Sequence, residues 1–108
     1  MIVSYETPAL QQACLALELA EQQYGAVHAQ ALIALIADIE AFENVGELAD
    51  FWGDEVLITN NDSLSLSVGA HYRATLAAVG TRYQRDAGGC VVWTSVTRLK
   101  LLAITGRR

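Results

Sequence analysis

The residues best suited to chemistry are cations near the C-terminal end: Arg73, Arg98, Lys100, Arg107 and Arg108, with His71 and Tyr72 beside the first of them. Arginine presents a planar fork of N–H donors that matches phosphate oxygens, and it stays charged throughout the physiological pH range. In a groove on a β-sheet such groups hold an RNA backbone or stabilise charge developing at a transferring phosphate. Arg98 and Lys100 are two apart, so a strand carries both on one face. An intramolecular role stands equally open, in which these cations pair with carboxylates on the helices.

Other chemistry leaves little trace. No Walker loop, GxGxxG, HExxH or GxSxG motif occurs. Asp38 with Glu40, and Asp54 with Glu55, are spaced so that they would not face each other on a helix. His28 and His71 share no metal-ligand spacing, and Cys14 and Cys90 form neither a CxxC pair nor a zinc-finger pattern. No metal, cofactor or disulfide framework is therefore expected. Trp52 and Trp93 suit core or interface anchors better than base-stacking platforms.

The charges are unevenly spread. Residues 1–70 hold eleven carboxylates and no Lys or Arg, whereas residues 71–108 hold all seven basic residues and only Asp86, giving formal charges of −11 and +6. The net charge of −5 works against nucleic-acid binding. The split nonetheless points to a polar or anionic partner for one face. It fits equally well with mere solubility, with Arg placed to protect sheet edges, or with head-to-tail pairing of two copies. The opening Met1-Ile2-Val3-Ser4-Tyr5-Glu6 has no basic, apolar leader, and the apolar run Ala31 to Ala37 is too short to cross a bilayer. A cytoplasmic protein without membrane attachment is expected.

The elements that must position these residues change period midway. Ile2 to Tyr5 reads as a short strand, and Thr7-Pro8 opens a helix that Gly25 closes. Its apolar positions Leu10, Cys14, Leu17 and Tyr24 recur at helical spacing. A second helix covers about Ala26 to Phe42, with Leu32, Leu35, Ile36 and Ile39 as its stripe, so the two form an αα-hairpin. Asn44 and Glu47 have capping-box spacing for a short helix to Phe51, which Gly53 ends.

Strands follow at Val56–Ile58, Ser63–Val68, Tyr72–Val79 and Thr97–Thr105, with Cys90–Trp93 opening the last element and a polar loop at Gly80–Gly89. The turn residues are Asn60-Asn61-Asp62 and Gly69-Ala70. Ser63 to Val68 alternates strictly, so one face is buried and the other carries three hydroxyls. The expected fold is a single α+β domain over residues 1–108, an N-terminal helical hairpin packed on a three- to four-stranded antiparallel sheet.

Three segments carry a family resemblance. Ala41 to Leu48 is similar to the helix-to-short-helix junction of the RelE/ParE toxin superfamily of bacterial type II toxin–antitoxin modules, in its HigB-like or plasmid maintenance killer branch. Ser65 to Arg73 resembles that family's strand, turn and Tyr-Arg segment, and Gly88 to Leu102 resembles its closing Trp-containing strand. The resemblance implies ribosome-dependent mRNA cleavage by 2′-hydroxyl attack on the adjacent phosphate, and neutralisation by a small antitoxin. It makes Arg73 the phosphate-contacting arginine, with Arg107 or Arg108 as the late basic residue and Tyr72 as a structural neighbour of Arg73. His71, Tyr72, Arg98 and Lys100 complete the expected RNA-contacting set.

The chain departs from that pattern where catalysis would sit. Ser65 and Ser67 stand where the family places Lys or Arg, and the chain closes on Gly106-Arg107-Arg108 where the branch has a Tyr followed by a terminal His. Serine cannot neutralise a developing phosphorane as a cation does, and no general base is evident. Two readings remain open: an mRNA endoribonuclease with a depleted active site, and a non-enzymatic binding module on the same scaffold. The second would act as an inhibitor of a topoisomerase or as a homodimeric orphan.

Overall fold

The computed structural model describes residues 1–60, 63–69, 72–79, 83–89 and 91–106. The chain begins with strand β1 (Ile2–Tyr5), followed by helices α1 (Pro8–Leu15), α2 (Leu17–Tyr24), α3 (Ala26–Ala41) and α4 (Val45–Trp52). A 3-10 turn at Gly53–Glu55 leads into strands β2 (Leu57–Asn60), β3 (Ser63–Val68) and β4 (Tyr72–Ala78). After a second 3-10 turn at Trp93–Ser95 the chain ends in β5 (Arg98–Gly106).

Local chemistry sets most of these boundaries. The Thr7 hydroxyl accepts from the Leu10 amide at 3.2 Å, and Pro8 occupies the first helical turn. The Asn44 side chain accepts from the Glu47 amide at 3.0 Å, while Glu47 reaches back to the Glu43 amide at 3.2 Å, a variant of the capping box. Gly25 and Gly53 end α2 and α4 at positive φ, where a Cβ would be strained.

The expected first helix is in fact two. Ala16 is extended, with φ −122° and ψ 109°, and redirects the chain between α1 and α2. No Gly or Pro marks the bend, and no side chain caps α2. The helical hairpin is therefore made by α2 and α3 about Gly25, with α1 running back toward β1.

The sheet is also larger than expected. Among the described residues five strands lie in the order β1-β5-β4-β3-β2, so the three- to four-stranded antiparallel sheet is corrected to a five-stranded mixed one. β1 pairs with β5 in parallel, Ile2 opposite Arg98 and Ser4 opposite Lys100, and the other pairs are antiparallel. A parallel neighbour requires a long crossover, and α1 to α4 with the β2–β4 meander supply it. Of the expected opening of the last element at Cys90–Trp93, Cys90 lies outside the described residues, Val91 makes an isolated bridge to Arg85, and Trp93 belongs to a 3-10 turn.

One core lies between the helices and one sheet face. Leu32, Ile39, Val45 and Leu48 meet Leu64, Leu66, Leu76, Leu99 and Leu101, all at most 2% exposed. No described helix is long and apolar enough to cross a membrane.

Candidate functional site

Strand alternation sends Leu64, Leu66, Val68, Ala74 and Leu76 to the helix-covered face. Ser63, Ser65, Ser67, Arg73, Thr75 and Ala77 consequently project from the opposite face of the same two strands. β5 adds Lys100, opposite Ala77, and Thr105, opposite Arg73. The face away from the helices is thus built of hydroxyls, small side chains and cations.

Arg73 is the organised member of this face. Its Nε donates to the Ser65 hydroxyl at 3.2 Å and its Nη1 to the Ser67 hydroxyl at 3.1 Å. Its Nη2 donates to the Ser65 hydroxyl at 2.9 Å and the Ser65 carbonyl at 3.1 Å. The guanidinium lies across β3, so Ser65 is only 6% exposed although no helix covers it. The β3–β4 register, Ser67 opposite Arg73 and Ser65 opposite Thr75, makes this reach possible. Among the described residues no carboxylate lies within ion-pair distance of Arg73. Its charge is hydrogen-bonded but not neutralised, and its orientation is fixed.

The other candidates divide. Lys100 shares the face but pairs with Glu6 at 3.0 Å, both side chains being partly solvent-exposed. Its strand partner Ala77 is four residues from Arg73, or roughly 13 Å along β4 at about 3.3 Å per residue. Arg98 is exposed at the start of β5, farther still from Arg73. Tyr72 alternates to the other face and packs edge-on against Tyr24 and His28, with ring centroids 5.1 Å away in each case. It braces the Gly69 turn from the helix side, where a Cβ on Gly69 would stand 2.7 Å from His28 Cδ2. His71, Arg107 and Arg108 lie outside the described residues, as do Asn61, Asp62, Ala70, Gly80, Arg82 and Cys90.

Among the described residues no cation of this face pairs with a helical acid: Lys100 pairs with Glu6, which lies in the bend between β1 and α1. For Arg73 the sheet itself stands between the guanidinium and the helices. What the sequence reading missed is the role of Ser65 and Ser67, which form the cradle for Arg73. The signal was the alternation of Ser63 to Val68 joined by a short Gly-containing turn to Tyr-Arg.

Titration is perturbed in the core. Burial pushes the Cys14 thiol up to about 11, and burial also raises Tyr5 and Tyr24, which adjoin it. These groups belong to the helix–sheet core and stay protonated at neutral pH. Among the described residues no group of three or more His, Cys, Asp or Glu side chains could hold a metal ion.

Chemically, the Arg73 face can bind an anion: a fixed guanidinium flanked by Thr75 and Thr105 and by serine hydroxyls. Neither a second cation nor a proton acceptor stands beside Arg73 among the described residues. No protein-family model, curated protein or solved structure matches this chain.

Proposed function

We infer that this chain is a toxin-like component of a bacterial type II toxin–antitoxin module, built on the RelE/HigB layout, that occupies RNA at the ribosome through its open sheet face. The observation carrying this reading is the Arg73 guanidinium, fixed across Ser65 and Ser67 with no carboxylate among the described residues to neutralise it. A pre-oriented guanidinium binds a phosphate with little further ordering cost. Hydroxyls around it add hydrogen bonds to a sugar–phosphate backbone.

Binding, not cleavage, is the activity these residues support best. Attack by a 2′-hydroxyl requires a proton acceptor and a cation at the developing charge. Lys100, the nearest strand cation on this face among the described residues, is engaged by Glu6. The protein partner of this reading is a small antitoxin.

The test is cell-free translation with added protein, with the message examined by primer extension. Reduced protein synthesis with an intact message, relieved by Arg73→Ala, is the expected result. Message cut within translated codons would replace occupancy by an endoribonuclease. Unimpeded synthesis would remove the translation reading altogether.

A further inference from the structure

A different part of the molecule carries a second binding site. β2 pairs with β3 only as far as Ser65, because the chain enters β2 from the 3-10 turn at Gly53–Glu55. From Leu66 to Val68, β3 has no ladder partner on that side. A cavity of about 150 Å³ opens there between α3, the end of α4 and the strand edge. Ala31, Ala34, Leu35 and Leu66 give it apolar surface, Trp52 contributes an indole, and Asp38 and Glu55 are its carboxylates.

Neither carboxylate has a cationic partner among the described residues. No Lys or Arg occurs in the first 70 residues, so the segments forming most of this cavity supply no cation of their own. An apolar slot with an indole and acidic groups suits a long side chain ending in a positive charge. The stem lies against apolar surface, and the head meets carboxylates and the electron-rich ring. The adjacent strand edge offers backbone groups to a chain running beside it.

The geometry points to a docking site for a Lys or Arg side chain carried on an extended segment of a partner protein, received between Asp38, Glu55 and Trp52 beside the β3 edge. Charge complementarity decides the occupant. An acidic segment would meet two like charges, and an apolar one would leave both carboxylates facing it uncompensated. The assignment does not depend on the reading of the Arg73 face, although the two adjoin at Ser67, which lines this cavity and whose hydroxyl accepts from Arg73 Nη1 at 3.1 Å.

The test is NMR titration of the ¹⁵N-labelled protein with an acetylated, amidated Thr-Val-Arg-Val-Thr peptide and its Glu-centred counterpart. The Arg peptide is expected to shift the Trp52 indole N–H and the Leu66–Val68 amides, and the Glu peptide to leave them unmoved. Asp38→Asn with Glu55→Gln should weaken the Arg peptide about tenfold, as loss of two charge contacts implies. Both substitutions are nearly isosteric and exposed, so the spectrum itself reports that the fold survives. Equal shifts with both peptides, no shift at millimolar peptide, or an unchanged affinity in the double variant would overturn the assignment. Sedimentation completes the test: self-association of the wild type that the double variant loses would give the site to a second copy and overturn the foreign partner.

Discussion

The two faces of the β3–β4 ladder are built by different means. On one face Leu64, Leu66, Val68, Ala74 and Leu76 are at most 2% exposed beneath helices. On the other, Ser65 is nearly as hidden, at 6%, with the Arg73 guanidinium bonded across it and Leu57 of β2 opposite. The first face is held by apolar area removed from water, a non-directional force shared among many side chains. The second is held by directional bonds from one guanidinium to one strand. A face built the first way tolerates small shifts. A face built the second way holds one charge in one orientation, which is what recognition of a phosphate needs.

The largest effect should come from opening the apolar face. Leu66→Ala and Leu76→Ala are each expected to cost about 2–5 kcal/mol by urea denaturation, since both side chains are essentially inaccessible. On the hydroxyl face, Arg73→Ala should cost less, about 1–3 kcal/mol, because its partners can turn to water. Its binding of single-stranded RNA should nevertheless collapse, whereas Leu66→Ala protein that remains folded should retain it. Stability and binding should therefore separate between the two faces. Losses in proportion at both would break the comparison.

Between the faces sits the turn that sets their register. Gly69 has φ of +62°, and a Cβ there would stand 2.7 Å from the His28 ring. Gly69→Ala is expected to cost about 1–2 kcal/mol, with Arg73 amide shifts in the NMR spectrum if the register is disturbed.

The core side has a pH signature. Cys14 has its pKa raised from 9.0 to about 11, so folding disfavours its thiolate. Its stabilising contribution is complete below pH 9 and is lost as pH rises toward 11, with Tyr5 and Tyr24 acting in the same direction. Urea midpoints measured from pH 7 to 11 should hold level and then fall. Cys14→Ala should flatten the first part of the fall. The smallest effect belongs to Glu6→Gln: loss of a half-exposed pair with Lys100 should change stability by about 0–1 kcal/mol.

Much of the layout was legible in the residues, for physical reasons that differ by element. Caps at Thr7 and Asn44 and the stop at Gly25 are local chemistry, readable without tertiary structure. Strict alternation told which face of Ser63–Val68 is apolar. It could not tell that Ser65 on the hydroxyl face is held beneath a guanidinium, because the arginine comes from the next strand. The parallel pairing of β1 with β5 joins residues nearly a hundred positions apart, and no local signal specifies it. The bend at Ala16 has no Gly, Pro or side-chain cap to announce it. In the candidate site, Arg73 was legible from its Tyr-Arg context. The same strand alternation set Tyr72 on the opposite face, where it packs against Tyr24 and His28.

The most direct measurement of the central claim is titration of a short single-stranded RNA into the ¹⁵N-labelled wild type, Arg73→Lys and Arg73→Ala proteins at low salt. Shifts centred on Arg73, Ser65, Ser67 and Thr75 are expected in the wild type, weakened about tenfold or more in Arg73→Ala. Arg73→Lys should recover only part of the affinity, because a lysine cannot span both serines and a phosphate. Wild-type binding that maps elsewhere, or that survives Arg73→Ala unchanged, would contradict the account.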